Sequence, residues 1–235
     1  MVDRTRSLVA EGFGTAILLY LIVGSGIMVE RIGTDGALQL LAHGVAVGSG
    51  LAALIVFLGP VSGAHFNPAV TLGFVATRSF DVPTAGLYVV TQVVGAVAGV
   101  ALANLTFGEP AYALSEQVRG GLGLPVAEFV ATLVLVLLIL GLIRVGNVAA
   151  VAPAVGAWIA AIIVATVSTG FANPAVTIAR AFTDTYAGIA PASVGWFLVA
   201  QFIAVVAAAA AASYLFPIPR STKTPQSATA REGVV

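Results

Sequence analysis

Two stretches of sequence decide the fold, SGAHFNPAVT at residues 62–71 and TGFANPAVT at residues 169–177. Each is apolar but too short to cross a membrane, for which about 20 residues are needed, and each contains Asn-Pro-Ala. Proline is tolerated in the first turn of a helix, and an asparagine directly before it can cap that helix. Short apolar half-helices in corresponding places of two halves are typical of re-entrant segments that meet at mid-membrane. We therefore expect half-helices at 67–77 and 173–182.

The composition indicates a protein whose solvent is lipid. Hydrophobic residues make up 59% of the 235 residues and charged residues only 9%, whereas a soluble domain carries about 25% charge. The formal net charge is zero, which gives no support to a nucleic-acid partner. The chain has no cysteine and two histidines, so disulfides, thiolate metal sites and thiol catalysis are excluded. We predict no enzymatic activity, no cofactor and no metal site.

Six apolar stretches are long enough to span a bilayer. The first is interpreted as a retained transmembrane helix and not as a signal peptide, because its apolar run exceeds the usual length of about 15 residues and lacks an A-x-A exit. The expected spans are 8–29, 37–58, 84–107, 123–143, 149–168 and 191–216.

Three features recur in the same order in the two halves of the chain, which indicates an internal repeat. Each half has three spans, an odd number, so the second half must be inserted upside down. We expect the first repeat at 8–107, a connecting loop at 108–122 and the second repeat at 123–216. The matched features are Ala10-Glu11 with Thr15 and Ala127-Glu128 with Thr132; Asn67-Pro68-Ala69-Val70-Thr71 and Asn173-Pro174-Ala175-Val176-Thr177; and Val90-Thr91-Gln92 and Val199-Ala200-Gln201.

An even number of spans places both termini, residues 1–7 and 217–235, on one side of the membrane. The tail is polar and rich in Pro, Ser and Thr, and we expect it to be disordered. The distribution of basic residues favours cytoplasmic termini. The residues on the side of the termini would be Arg4, Arg6, Arg78, Arg144, Arg220, Lys223 and Arg231, and those opposite would be Arg31, Arg119 and Arg180.

The segment at residues 62–71 closely resembles the first signature loop of the aquaporin and aquaglyceroporin family, and the resemblance extends over residues 8–216. It implies an all-α membrane protein with six tilted transmembrane helices and two re-entrant half-helices in an inverted repeat. It also implies a homotetramer in the plasma or inner membrane, surrounded by lipid, with one pore per subunit for small neutral solutes.

Asn67 and Asn173 are the candidate centre of that pore. Two half-helix N-termini that meet near the midplane present partial positive charge and free N–H groups. The asparagine amides would donate hydrogen bonds to a passing neutral solute, while protons and cations meet an electrostatic barrier. The alternative is that each asparagine merely caps its own helix. The expected constriction comprises Asn67, Pro68, Ala69, Asn173, Pro174 and Ala175.

Glu11 and Glu128 lie inside expected spans, where an ionisable group is costly and by default functional. One interpretation is proton coupling in a transporter. The other is that each carboxylate accepts N–H groups from the neighbouring re-entrant loop and holds it in place. The symmetry of the two halves favours the second, and the family resemblance implies it too. Gln92 and Gln201 are interpreted in the same way.

Val176 is the most informative departure from the family. In most members an arginine follows the second Asn-Pro-Ala and forms a narrow, positively charged selectivity filter. Valine offers no donor and takes less room, so we expect a filter that is wider, more apolar and electrostatically weaker. Spacing from the two asparagines suggests the other filter positions: Val47, with His43 one turn away; Ile162 or Ile163; and Gly170 or Phe171.

Three further polar residues are expected near the pore mouths. His65 is expected to face the cytoplasmic mouth, and His43 either borders the filter or satisfies a neighbouring helix. Arg180 follows Asn173 by seven residues, on the same helical face as Val176. Because helical side chains lean towards the N-terminus, Arg180 would give the outer vestibule a displaced positive charge that attracts oxyanions. Its alternative is an i,i+4 ion pair with Asp184.

With valine in place of this arginine, the segment resembles that of a bacterial aquaporin subgroup linked to arsenic resistance. The resemblance implies arsenite, present as neutral As(OH)3, and glycerol is the natural competing solute because the two molecules have similar shapes. We therefore expect a passive channel for small uncharged solutes. The alternatives are an ordinary water or glycerol channel, a proton-coupled exporter that uses Glu11 or Glu128, and a non-conducting structural member of the fold.

Overall fold

The computed structural model describes residues 3–33 and 35–217, and this part of the chain contains helices, turns and loops but no strand. The predicted disordered tail at 217–235 lies outside the described residues, apart from Pro217. Six helices are long and apolar enough to cross a membrane. The helices are α1 (Arg4–Ile32), α2 (Gly36–Ser62), α3 (Pro68–Ala76), α4 (Val82–Thr106), α5 (Gly123–Arg144), α6 (Val151–Ala165), α7 (Pro174–Ala179) and α8 (Pro191–Leu215).

Three of the long helices begin directly after an aspartate. The carboxylates of Asp3, Asp35 and Asp81 accept backbone N–H groups from the first turns of α1, α2 and α4, and each satisfies a donor that has no partner within the helix. The hydrogen bond from the backbone N–H of Thr84 holds the pKa of Asp81 below its ordinary value. These caps lie at the ends of the spans, where the chain turns.

The bounds of all six spans differ from the sequence expectation by one to four residues at one or both ends, and two of these differences have a local cause. Helix α1 begins at Arg4, four residues before the predicted start, because Asp3 caps it by accepting from Thr5 N. Helix α6 ends at Ala165, three residues before the predicted end at residue 168, because the following residues turn into the second re-entrant loop. Hydropathy alone did not separate the last apolar residues of α6 from that loop.

The two half-helices are shorter than predicted. Helix α3 occupies Pro68–Ala76 within the expected 67–77, and α7 ends at Ala179. A 3₁₀ turn at Arg180–Phe182 completes the segment expected at 173–182. Each half-helix has proline in its first turn and an asparagine cap. The tighter turn changes the direction in which Arg180 leaves the segment.

The spans pack as the inverted repeat requires. Helix α1 packs against α4 in the first half, the equivalent helices α5 and α8 pack together in the second half, and α2 packs against α6. Glycine permits the closest crossing. A Cβ atom added to Gly95 of α4 would lie 3.0 Å from Cα of Gly12, and one added to Gly99 would lie 2.9 Å from Cα of Ala16. Because those atoms belong to the backbone of α1, they cannot move aside as a flexible side chain would.

We predict that Gly95→Ala destabilises the folded protein by about 1–3 kcal/mol, the usual effect of overpacking a tight contact. The measurement is the melting temperature of the purified protein in detergent. Gly86→Ala is the matched control, because Gly86 is exposed on the same helix and an added Cβ there would meet no atom within 4 Å. Equal melting temperatures for the two variants would show that α1 and α4 adjust to the added methyl group.

Candidate functional site

The N-termini of the two half-helices meet through their asparagine caps. The side-chain Nδ2 of Asn67 donates to the carbonyl of Ala172 at 2.8 Å, and Nδ2 of Asn173 donates to the carbonyl of Phe66 at 2.8 Å. Each Oδ1 also accepts from the first turn of its own helix. Capping and contact with the other half therefore occur together. One N–H of each amide remains for the cavity that both asparagines line.

The two loops that lead into the half-helices share one backbone path. In each loop the residues four, three and one positions before the asparagine have positive φ. Non-glycine residues in this left-handed region cost about 1–3 kcal/mol each and persist only where the surroundings hold them. The matched residues are Gly63 (85°), Ala64 (50°) and Phe66 (47°) in the first loop, and Thr169 (59°), Gly170 (56°) and Ala172 (47°) in the second.

Glu11 holds the first loop. Its carboxylate, which has no solvent exposure, accepts from His65 N at 2.9 Å and Phe66 N at 2.7 Å. It also accepts from the Ser62 hydroxyl at 2.7 Å and from Gln92 Nε2 at 2.7 Å. Four donors converge on the two oxygens, so the carboxylate is saturated with hydrogen bonds inside the protein.

Glu128 holds the second loop in the same manner. It is fully buried and accepts from Phe171 N at 2.8 Å, Ala172 N at 2.9 Å and Gln201 Nε2 at 2.7 Å. Gln201 also donates to the Thr177 hydroxyl at 2.9 Å. A single network thus joins span α5, the loop, half-helix α7 and span α8.

Four hydroxyl residues of these networks were missed in the sequence as site residues. Thr71 accepts from Gln92 as Thr177 does from Gln201. Ser62 and Ser168 each accept the backbone N–H two residues further on. Their spacing is a signal that was present, because the serines stand five residues before the two asparagines and the threonines four residues after them.

A narrow cavity of about 80 Å³ runs past the asparagines and is lined by residues from both halves. A buried water needs about 10–15 Å³ of such volume, so the cavity has room for several small molecules. The wall is largely apolar, with polar groups from the asparagines, two histidines and one arginine.

The predicted filter positions gather at the Val176 end of this cavity. Val47, Ile163, Gly170, Phe171 and Val176 line it. Of the two alternatives in α6, Ile163 belongs to this wall and Ile162 does not. Ile162 packs beside Gly170, where an added Cβ would lie 2.9 Å from the Ile162 Cβ, because adjacent helical residues point about 100° apart.

The two histidines lie at opposite ends of the cavity. His43 lines the filter end, and its Nδ1 also pairs with the Ser25 hydroxyl at 2.8 Å. His43 therefore both lines the cavity and bonds to a neighbouring helix, the two positions that were considered for it. His65 lines the other end, stacks on Phe74 with 4.8 Å between ring centroids, and pairs through Nδ1 with the Thr71 hydroxyl at 3.1 Å.

The alternative ion pair of Arg180 with Asp184 does not form. Among the described residues the ion pairs are Arg6–Asp3 and Arg31–Glu109, and Asp184 accepts from Glu116 N instead. Helix α7 ends before Arg180, so the i,i+4 geometry of a continuous helix is absent.

Arg180 turns inward. It is buried, with 4% of its surface exposed, and lines the cavity. Its Nε donates to the carbonyl of Ala187, and its guanidinium carbon lies 3.5 Å from the centroid of the Phe171 ring.

Six spans around two half-helices whose capped N-termini meet in a shared cavity define the class of a membrane channel. Comparisons with known proteins agree. The model of the major intrinsic protein family matches residues 1–146. Aquaglyceroporin AqpS of Rhizobium meliloti (strain 1021) is 44% identical over 224 residues, which cover 94% of this chain and 96% of that protein. Nodulin-26 of Glycine max is 31% identical over 98% of this chain and 83% of its own length.

The chain belongs to the major intrinsic protein family, whose members are channels and not enzymes. The X-ray structure of the aquaglyceroporin from Plasmodium falciparum aligns with a TM-score of 0.68 and 22% identity, covering 92% of this chain and 97% of that one. This likeness confirms the predicted aquaporin fold. The protein is therefore a multi-pass membrane protein and a passive solute channel.

We predict that Glu128→Gln destabilises the protein, because an amide presents only one oxygen to the three donors that now surround the carboxylate. Each charge-assisted hydrogen bond lost is expected to cost about 1.5–3 kcal/mol. The measurement is the melting temperature in detergent, with Glu30→Gln as control, because Glu30 is exposed at the end of α1. A melting temperature equal to that of the control variant would contradict a supporting role for Glu128.

Proposed function

We propose that this channel passes small uncharged solutes down their gradients, chiefly arsenite-type metalloid hydroxides and small polyols, and that it excludes protons and cations. The observation that carries the proposal is Val176 in the wall of the cavity. Together with Val47 and Ile163 it forms an apolar wall. Such a wall takes up less of the lumen than an arginine would at position 176 and offers no donor there to a single water.

The size and shape of the solute follow from this wall. Glycerol and As(OH)3 are compact, uncharged and rich in hydroxyl groups, and both exceed water in width. An apolar wall favours the less polar surface of such a solute, while hydroxyl groups bond to a few placed polar groups. The proteins from Rhizobium meliloti and Plasmodium falciparum are both named aquaglyceroporins. This name, which refers to glycerol, supports a polyol as one solute of this chain.

The exclusion of protons, and part of the exclusion of cations, is assigned to the meeting point of the half-helices. The positive ends of α3 and α7 face each other there, and Asn67 and Asn173 each keep one N–H directed to the lumen. A water at this point accepts two hydrogen bonds and cannot accept a third from a neighbouring water, so a proton-conducting chain is interrupted. A cation meets the same positive ends without its full hydration shell.

The membrane context belongs to the same proposal. We assign the channel to the plasma or inner membrane from the family resemblance, and we assign cytoplasmic termini from the distribution of basic residues. The homotetramer is assigned from the family resemblance, and large apolar side chains lie on the outer face of the bundle, such as Trp196 and Ile203, which are 68% and 57% exposed in a single chain. Lipid or neighbouring subunits would cover them.

A proton-coupled exporter is the rival mechanism, and the hydrogen bonds argue against it. Both carboxylates are fully buried, and donors from the loops and the neighbouring spans make four hydrogen bonds to Glu11 and three to Glu128. Coupling would require each carboxylate to release the loop whenever it bound a proton. Uptake into vesicles should therefore follow the solute gradient alone, and arsenite uptake driven by an imposed pH gradient would favour the exporter.

We predict that Val176→Arg shifts the channel from arsenite and glycerol towards water, because the guanidinium fills the lumen and adds donors. A rise of about 1.4 kcal/mol in the free-energy barrier to passage lowers the permeability tenfold. We expect the permeability to glycerol to fall by at least about this factor. The measurement is the permeability of reconstituted liposomes to water, glycerol and arsenite. Val176→Leu is the control that adds bulk without charge. If the native protein conducts mainly water, the ordinary water channel is correct and the solute proposal is wrong.

A further inference from the structure

We propose that Arg180 is the cationic hydrogen-bond donor of the filter, binding the oxygens of passing solutes and repelling cations from a position four residues beyond Val176. The inference deepens the proposed function and rests on it. The wall around Val176 is apolar, but a charged side chain lines the cavity beside it. The Arg180 guanidinium lines the same cavity together with Val47, Ile163 and Val176.

The two terminal nitrogens of Arg180 have no acceptor among the described residues. Arginine has five N–H groups, and this part of the chain provides one acceptor, the Ala187 carbonyl bonded to Nε. The enclosed side-chain polar atoms that lack a partner in the same residues are Gln92 Oε1 and Thr132 Oγ1. The terminal nitrogens are not among those enclosed atoms, so they border open space, and on this buried residue that space is the cavity.

The repeat places Arg180 at this position independently of its charge. The equivalent residue in the first half is Phe74, which also stands seven residues after its asparagine and lines the cavity. Phe74 stacks on His65, and Arg180 lies over Phe171. His65 and Phe171 both stand two residues before the asparagines. The scaffold thus directs this residue of each half against its loop and into the lumen.

The guanidinium is held rigidly. The aromatic ring beneath it and the carbonyl at Nε fix its plane, which leaves the terminal N–H groups directed at one region of the cavity. Valine at 176 leaves the lumen open beside it. A fixed, planar set of donors binds paired oxygen acceptors better than a mobile ammonium does. Solutes with two or more hydroxyl oxygens fit this set, with their less polar surface against Val47 and Ile163.

The charge is not neutralised by an ion pair. No described carboxylate lies within ion-pair distance of Arg180, since the ion pairs of this part of the chain are elsewhere. An arginine stays protonated in proteins, and unit charges act strongly in a poorly solvated lumen. Arg180 therefore opposes the entry of a cation while it attracts the oxygen atoms of a neutral solute.

Arg119 provides a matched control. Its guanidinium carbon lies 5.2 Å from the centroid of the same Phe171 ring, and its Nε donates to the Gly188 carbonyl. It lines a groove beside Trp196 and Ile203 and is absent from the described cavity wall. Its removal takes away the same charge and a similar stacking contact but no donor from the lumen.

The experiment compares the full-length native protein with Arg180→Met, Arg180→Lys and Arg119→Met in liposomes. Methionine keeps most of the side-chain volume against Phe171. The readouts are leak of sodium ions and protons, and permeability to water and glycerol. We expect Arg180→Met to raise cation leak at least about tenfold, Arg180→Lys to keep cations out but to slow glycerol, and Arg119→Met to resemble the native protein.

A double variant protects the test against misfolding. Val176→Arg combined with Arg180→Met moves the guanidinium back by four residues and should restore cation exclusion. Exclusion that is unchanged in Arg180→Met, or equal leak in Arg180→Met and Arg119→Met, would overturn the role of Arg180. Failure of the native protein to pass glycerol and arsenite would instead overturn the proposed solutes, because cation leak is measured without either of them.

Discussion

The channel depends on two buried carboxylates that hold strained backbone. Each re-entrant loop carries three residues of positive φ, two of them without the freedom of glycine, and each loop directs backbone N–H groups at the glutamate of a neighbouring span. Glu11 and Glu128 are costly in a membrane, but their hydrogen bonds to the loops stabilise a backbone path that would otherwise relax. Only on that path do the half-helix N-termini reach each other. The positions of Gly170, Phe171 and Val176 in the cavity wall follow from this restraint.

Much of this arrangement could be predicted from the sequence because the same motifs occur in both halves of the chain. The asparagines, the glutamates and the glutamines recur in order, and symmetry alone favoured a supporting role for the carboxylates. The half-helices were expected from apolar segments too short to span. By contrast, the positive φ values of Ala64, Phe66 and Ala172 have no composition signal, since these residues do not ordinarily favour left-handed backbone. Geometry set by the long-range hydrogen bonds determines them.

The alternatives that the sequence left open lie where one residue of register or one turn of helix decides the outcome. Spacing could not separate Ile162 from Ile163, because both fit the distance from the loop and only the rotation of α6 directs one to the lumen. The pairing of Arg180 with Asp184 assumed a regular helix through both residues. The change to a 3₁₀ turn at Arg180–Phe182 accompanies packing of Arg180 against Phe171 and the Ala187 carbonyl, contacts that local helix periodicity does not predict.

The inverted repeat explains how a symmetric scaffold yields two chemically different pore ends. Both half-helices carry valine directly after Asn-Pro-Ala, and both Val70 and Val176 line the cavity, so the distinction does not arise there. It arises at the next inward-facing position, where Phe74 covers His65 at one end and Arg180 covers Phe171 at the other. At one end the basic residue precedes the asparagine and the aromatic residue follows it, and at the other end this order is reversed. In the proposed mechanism, a solute meets the Arg180 guanidinium at the Phe171 end of the cavity and the Phe74 ring at the other end, so the two ends would select differently around a common centre.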